Sequence, residues 1–482
     1  MSAESRSDSV QGRTAIVVGS GPNGLAAAIT LARAGVEVTV LEAADEIGGG
    51  TRSGEAIVPG LVHDHCSAIH PMAVGSPFLG SLDLERYGLR WAWPEIDCAH
   101  PLDDGTVGVL YRSVAETAAG LGTDGRAWRL LFDRPVAAYD RFGADIMRPL
   151  LRLPRHPISL ARFGIPALAP ASLLAEIFRT EQGRALFGGV AAHAFHPLHR
   201  PLSASIGLGI LTAGHRYGWA VAVGGSQRIT DAMAALLLDL GGKIETRVHV
   251  RSPRQLPPSD ITMWDLAPTA IAEILADRLP SRIAKAYRRF RYGPAAFKVD
   301  FAVEGGIPWT AEPARRAGTV HLGGRFAEIA ASEREIHAGR MPERPFVLVG
   351  QQYLADSKRS VGTVHPVWTY AHVPHGFTGD ATEAISARIE AFAPGFRDRI
   401  VGTSTRTAPG LAEYNPNYVG GNIMTGAKDL PQLLFGPRKT LHPYDIGIPG
   451  HYLCSAATPP GPGAHGMCGA NAADRALRCL HR

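Results

Sequence analysis

A diphosphate can be held by backbone alone where glycines let the chain turn sharply and present its N–H groups at the start of a helix. Gly19, Gly21 and Gly24 have the required spacing, G-x-G-x-x-G, and Glu42 stands about 20 residues beyond. In such a turn the first glycine bends the chain and the second lets the backbone reach a pyrophosphate. The third lets helix and strand pack closely. Pro22 and Asn23 open the helix whose free N–H groups and dipole favour an anion. A carboxylate at position 42 would accept hydrogen bonds from an adenosine ribose, and its charge opposes the 2′-phosphate of NADP. The spacing by itself is a weak signal, since it occurs three times. Gly120, Gly122 and Gly125 follow an alanine-rich helical stretch with no strand before it. Gly461, Gly463 and Gly466 do follow a strand-like run, yet no acidic ribose partner stands at the right distance after them.

The elements around the first copy supply what the others lack. Arg13–Gly19 (RTAIVVG) reads as a strand, Pro22–Ala34 as an apolar helix closed by Gly35, and Val36–Leu41 as a second strand. This is a βαβ unit. From about Thr117 to Ala213 the pattern is helical and interrupted by prolines. Ser226–Leu240 then predicts a helix with Ile229, Met233, Leu236, Leu237 and Leu240 on one face, stopped by Gly241-Gly242 and followed by a strand over Lys243–Val250. Further strands are expected at Ala296–Val303, Pro345–Gln352, Val364–Val373 and His451–Ala457. A helix over Asp380–Phe392 is expected with Asp380 and Glu383 as a capping box, and a last helix from near Gly466. The expected fold class is α/β: a Rossmann-like dinucleotide-binding domain assembled from residues 10–115, 220–290 and 405–482. An inserted α+β substrate domain of helices and a mixed sheet would come from 116–219 and 291–404.

Composition narrows the function classes. Of 482 residues, 45% are hydrophobic and 19% charged, the profile of a folded globular chain. The net charge of +5 suits an anionic cofactor but is far from a nucleic-acid footprint, so no nucleic-acid partner is expected. Five cysteines without a C-x-x-C pair speak against a disulfide framework and a dithiol relay. Met1–Arg13 lacks the apolar stretch of a signal peptide, and the longest apolar runs are too short and too broken to span a bilayer. A cytoplasmic location is the default, with membrane association left open.

The segment Leu41–Arg52 (LEAADEIGGGTR) separates FAD from NAD. With Glu42, Ala43, Gly49, Gly50, Thr51 and Arg52, it resembles the extended flavin fingerprint of the amine oxidase and phytoene desaturase superfamily. Val223–Val250 is similar to that family's central segment, which implies that Val248 meets the adenine through its backbone. His451–Ala473 is similar to the closing flavin motif. There the start of the last helix, with Gly463, Gly466 and Met467, would aim N–H groups at the flavin pyrimidine. The whole resembles the phytoene-dehydrogenase-related oxidoreductases, the pyridine nucleotide-disulfide oxidoreductase domain-containing protein 2 type among them. The resemblance implies FAD as cofactor. No second glycine motif has a full βαβ context, so oxygen, a quinone or a protein carrier is expected to reoxidise the flavin.

Lys298, within AAFKVDF, resembles the lysine that holds a water at flavin N5 in monoamine-oxidase-like enzymes; the other reading is a solvated, outward-facing side chain. His465 either touches flavin or substrate, or caps the last helix. His63, His65, Cys66 and His70 have metal-ligating residue types but match no zinc spacing; no metal is expected, and a lining of the flavin pocket is the preferred reading. Tyr217, Trp219 and Tyr444 either wall a cavity or belong to the core. Arg152–Phe178, basic and then apolar, either meets a membrane surface or forms a buried helical domain, the reading favoured here. The expected activity is removal of hydride equivalents from a small or apolar organic substrate, phytoene-dehydrogenase-like in its specific form. Amine oxidation is the alternative, and a non-catalytic binding protein like the GDP dissociation inhibitors is the alternative of another class.

Overall fold

The computed structural model describes residues 12–480, so most of the N-terminal segment weighed for a signal peptide lies outside the described residues. Two sheets organise the chain. The first has five parallel strands in the spatial order His451–Leu453, Ile261–Trp264, Thr14–Val18, Glu37–Leu41 and Lys243–Glu245. Its centre is the β-branched run Thr14–Val18, buried on both faces as parallel strands are. Three helices cover one side: Pro22–Arg33, Gln227–Asp239 and Met467–Leu480. The first and last of these touch so closely that a Cβ on Gly469 would stand 1.8 Å from the Asn23 carbonyl oxygen. Segments more than 400 residues apart in sequence thus meet at the start of both helices.

The second sheet has seven strands in the order Ile400–Arg406, Ala295–Glu304, Val364–Val373, Val347–Gly350, Ala317–Leu322, Ile96–Pro101 and Val107–Leu110. Only Ala317–Leu322 and Ile96–Pro101 run parallel within it. Ile96–Pro101 and Val107–Leu110 lie before the expected boundary at 115, yet they hydrogen-bond into this sheet rather than the first. Cross-strand register sets Lys298, Tyr370, Leu348 and His321 in one row. Asp300, Trp368, Gly350, Thr319 and Cys98 form the next. Strand alternation puts both rows on one face, against the helices of 125–217.

Several elements differ from expectation for local reasons. The strand after Gly242 stops at Glu245, because Arg247 takes φ +61° and turns the Val248 N–H onto the Glu42 carbonyl, 2.8 Å away. The last strand ends at Leu453. The helix expected from Asp380 begins at Thr382; Asp380 accepts from the Thr382 N–H, while Glu383 pairs with Arg397 instead of closing a capping box. Ile261–Trp264, central to the first sheet, is a short apolar run that periodicity does not pick out.

Candidate functional site

A cavity of about 900 Å³ begins at the glycine turn and ends among the helices of the second half. The turn follows directly from Val18. Gly19 has φ +104°, and its N–H donates to the Leu41 carbonyl at 2.8 Å. A Cβ on Gly24 would stand 2.0 Å from the Gly19 carbonyl oxygen, so the third glycine serves close packing, as the motif requires. Glu42 is fixed where the second strand ends. Its Oε2 accepts from the Ser20 N–H (2.9 Å) and hydroxyl (2.5 Å), and its Oε1 from the Ala44 N–H (2.9 Å). A carboxylate offers about four acceptor sites, so capacity for a ribose hydroxyl remains.

Gly19, Gly21, Pro22, Asn23, Glu42, Ala43, Gly49, Gly50, Thr51, Arg52, Val248, Gly463 and His465 all line this cavity, although they come from three distant stretches of chain. Asn23 Oδ1 and Ser455 Oγ, on two lining residues, have no hydrogen-bond partner among the described residues. Arg52 donates to the Gly49 carbonyl (3.2 Å), and its guanidinium lies 4.6 Å from the Tyr414 ring centroid. These residues fit FAD: a glycine turn for the diphosphate, a fixed acceptor for the ribose, and unpartnered polar atoms along the wall.

Three of the proposed contacts lie behind the wall instead. Gly24 gives its N–H to Asp265 Oδ2 (2.9 Å), and Gly466 packs against Ala26 and Phe78. The Met467 N–H donates to His465 Nδ1 at 3.1 Å. His465 therefore caps the last helix while also lining the cavity, and it keeps the first N–H of that helix from pointing outward. Burial pushes its imidazole down to about 4, so it stands neutral.

Beyond this end the cavity continues into an apolar chamber. Ile146, Leu160, Phe163, Ile206 and Ile210 form its helical wall; Thr319, Leu348, Trp368 and Tyr370 form its floor on the second sheet. Lys298 shares that sheet face but does not line the chamber. It is 3% exposed, ion-paired with Asp300, and its Nζ lies 5.8 Å from the Trp368 ring centroid. Burial pushes the lysine's pKa down, and the Asp300 carboxylate opposes that shift. The outward, solvated reading of Lys298 is thus corrected: both faces of this strand are covered.

Cys66 and His70 line the cavity, whereas His63 reaches the Phe301 carbonyl (3.2 Å) and His65 is turned away; both lie off the wall. Burial holds His65 down at about 3. Among the described residues no cluster of three or more His, Cys, Asp or Glu is placed for a metal. Trp219 lines the chamber, while Tyr217 and Tyr444 pack elsewhere. Sequence reasoning missed Asp265, Tyr418, Lys428 and the cavity-facing His193, whose Nε2 lies 3.2 Å from that of the fully buried His321. Only Asp265 carries a usable signal, an acidic residue between a short apolar run and a helix-opening proline.

Near the chamber the cavity wall includes Arg148, Leu150, Gly164 and Leu168. The surface there is apolar against expectation: Leu153 is 93% exposed, Ile165 71%, and Ile158, Leu168 and Leu173 are also largely in water. Arg152, Arg155 and Arg162 are exposed among them. The favoured reading of a buried helical domain holds for one face only, where Phe163, Ala167, Ala171, Ala175 and Phe178 are buried; the other face stands in water. The helix Pro157–Ala167 is apolar on faces the rest of the molecule does not cover.

Residues 17–77 match the NAD(P)-binding Rossmann-like domain family. Over 97% of its length the chain is 25% identical to mouse pyridine nucleotide-disulfide oxidoreductase domain-containing protein 2, covering 93% of that protein. It is 31% identical to hydroxyneurosporene desaturase of Cereibacter sphaeroides over 48% of each chain. Among solved structures, putrescine oxidase bound to putrescine matches with a TM-score of 0.60 and 19% identity, over 98% of this chain and 99% of that one.

Proposed function

We propose that this chain, an oxidoreductase of the FAD-dependent superfamily, removes a hydride from a carbon of an apolar organic substrate held in the helical chamber. The observation that carries this reading is the continuity of one cavity from the glycine turn, past Glu42 and Val248, to an apolar chamber. Bound there, FAD supplies the hydride acceptor. The chain's own residues do the rest. The Gly19–Asn23 turn and Glu42 orient the dinucleotide, and the apolar wall of Ile146, Leu160, Phe163 and Ile206 excludes water and aligns the substrate. Lys298 acts from behind Trp368, as a positioning group rather than a contact.

The chamber's charge pattern supports an apolar substrate over an amine. The carboxylates on the cavity wall are Glu42, Asp265 and Glu413, all on the dinucleotide side, so an ammonium in the chamber would have no counter-charge. The exposed leucines, isoleucines and arginines of 150–173 support a seat on an anionic lipid surface beside the chamber. No helix among the described residues is long and apolar enough to cross a membrane, which suits a surface seat.

The test is optical. Purified protein should show flavin bands near about 375 and about 450 nm that survive desalting. Under anaerobic conditions, long-chain apolar alcohols or polyenes should bleach the longer-wavelength band faster than amines do. A colourless protein that takes up no FAD would move the assignment to a binding protein. Faster bleaching by amines would overturn the apolar substrate and leave the flavin in place.

A further inference from the structure

Asp265 stands where the strand Ile261–Trp264 ends, directly beneath the glycine turn. Its N–H donates to the Val18 carbonyl at 2.8 Å, which fixes its backbone. Its Oδ2 accepts from the Gly24 N–H at 2.9 Å and lies 2.9 Å from the place a Cβ on Gly21 would occupy. The carboxyl is therefore wedged against the turn, on the cavity wall, at the point to which a diphosphate must come.

The groups around it come from four other elements. Glu42 faces it from the end of the second strand, Cys454 from beyond the last strand and Cys468 from the last helix. From its loop, Asn417 donates to the Asp265 carbonyl at 3.1 Å. Burial raises both thiols, so they are neutral and bring no charge. The cations of the cavity wall are held elsewhere: Arg52 by Gly49 and Tyr414, Arg148 by Asp145, Lys428 by the Met424 carbonyl. Among the described residues, nothing of opposite charge is paired with Asp265. Burial, joined by the like charge of Glu42 and opposed by the Gly24 N–H, pushes its carboxyl up to about 7. A diphosphate adds two more negative charges at close range in a dry site, where like charges repel strongly.

We propose that Asp265 is the proton-carrying position of the FAD site: the dinucleotide is held against the neutral acid, and each FAD bound by the ionised form brings one solvent proton onto this carboxyl. No bond other than that O–H is made. The neutral acid keeps an oxygen as acceptor for the Gly24 N–H and gains a donor. The inference rests on the FAD reading above. Its sign is fixed: affinity is full below about pH 7 and is lost as pH rises.

The experiment titrates FAD into flavin-stripped protein between pH 6 and pH 9, following flavin fluorescence. Calorimetry at pH 8 in two buffers of different ionisation enthalpy counts the protons. Wild-type affinity should weaken towards about tenfold per pH unit above pH 7, with about one proton taken up per FAD at pH 8. Asp265→Asn, which keeps an oxygen for the Gly24 N–H, should bind with a flat profile near the wild-type pH 6 affinity and take up no proton. A wild-type slope retained in Asp265→Asn, or no proton uptake by the wild type, overturns the proposal. Should the variant fail to fold, the infrared difference spectrum of wild type with and without FAD at pH 8 decides. A new protonated-carboxyl band supports the proposal, and its absence overturns it. Failure of the wild type to bind FAD at any pH sinks the cofactor reading instead.

Discussion

Lys298 and Asp300 form a buried ion pair on a strand covered on both faces. Removing one partner strands the other charge away from water, which costs about 3–5 kcal/mol. Lys298→Met should therefore lower the melting temperature sharply, and Lys298→Met with Asp300→Leu should restore most of it. With stability restored, the double variant should retain FAD and turn over roughly tenfold more slowly, short of the ~10²-fold loss typical of direct proton transfer. Wild-type turnover in the double variant would leave the pair a purely structural role. The sequence placed Lys298 on a strand, and period-2 alternation puts it on the same side as Asp300. Which side faces inward was not legible, because alternation loses its meaning once a sheet is covered on both faces. His465 shows the same limit: one ring caps the last helix and borders the cavity at once, so its two readings do not exclude each other.

At the scale of elements, the helix Pro157–Ala167 and its flanks are where sequence and structure part most. Prolines and apolar residues on every side gave no periodic face, so nothing in the pattern distinguished a helix sunk in a core from one lying on a surface. The exposure of Ile158 and Ile165 settles it. Ile158→Glu with Ile165→Glu should cut co-sedimentation with vesicles of anionic phospholipid by at least about tenfold, since each such side chain withdrawn from water is worth about 1.5–3 kcal/mol. The flavin spectrum should not change. Unaltered sedimentation would remove the lipid seat. The βαβ unit, by contrast, was read almost to the residue. There the glycine turn, the helix stop at Gly35 and the acidic residue at 42 are local signals that agree with one another.

For the molecule as a whole, buried histidines set the acid limit. Burial pushes His70, His100, His215 and His465 each down to about 4, and His193 to about 3. Unfolding returns them to about 6.5, so below that pH the unfolded chain binds more protons and stability falls as pH falls. Each fully buried ring contributes roughly 3 kcal/mol to that loss by pH 4. Calorimetric scans should show the melting temperature dropping steeply between pH 6.5 and 4, with a slope of more than one proton; a flat profile would contradict the buried, neutral assignment. The first sheet takes its strands from both ends and the middle of the chain, and each of those stretches carries a motif of its own. The pairing of Ile96–Pro101 with a strand more than 200 residues later was not legible, since no local signal encodes a long-range parallel partner. The apolar rim beside the chamber carries a last consequence. A protein seated there would meter its substrate by mole fraction in a leaflet, so inert lipid would act as a diluent and turnover would follow area rather than volume.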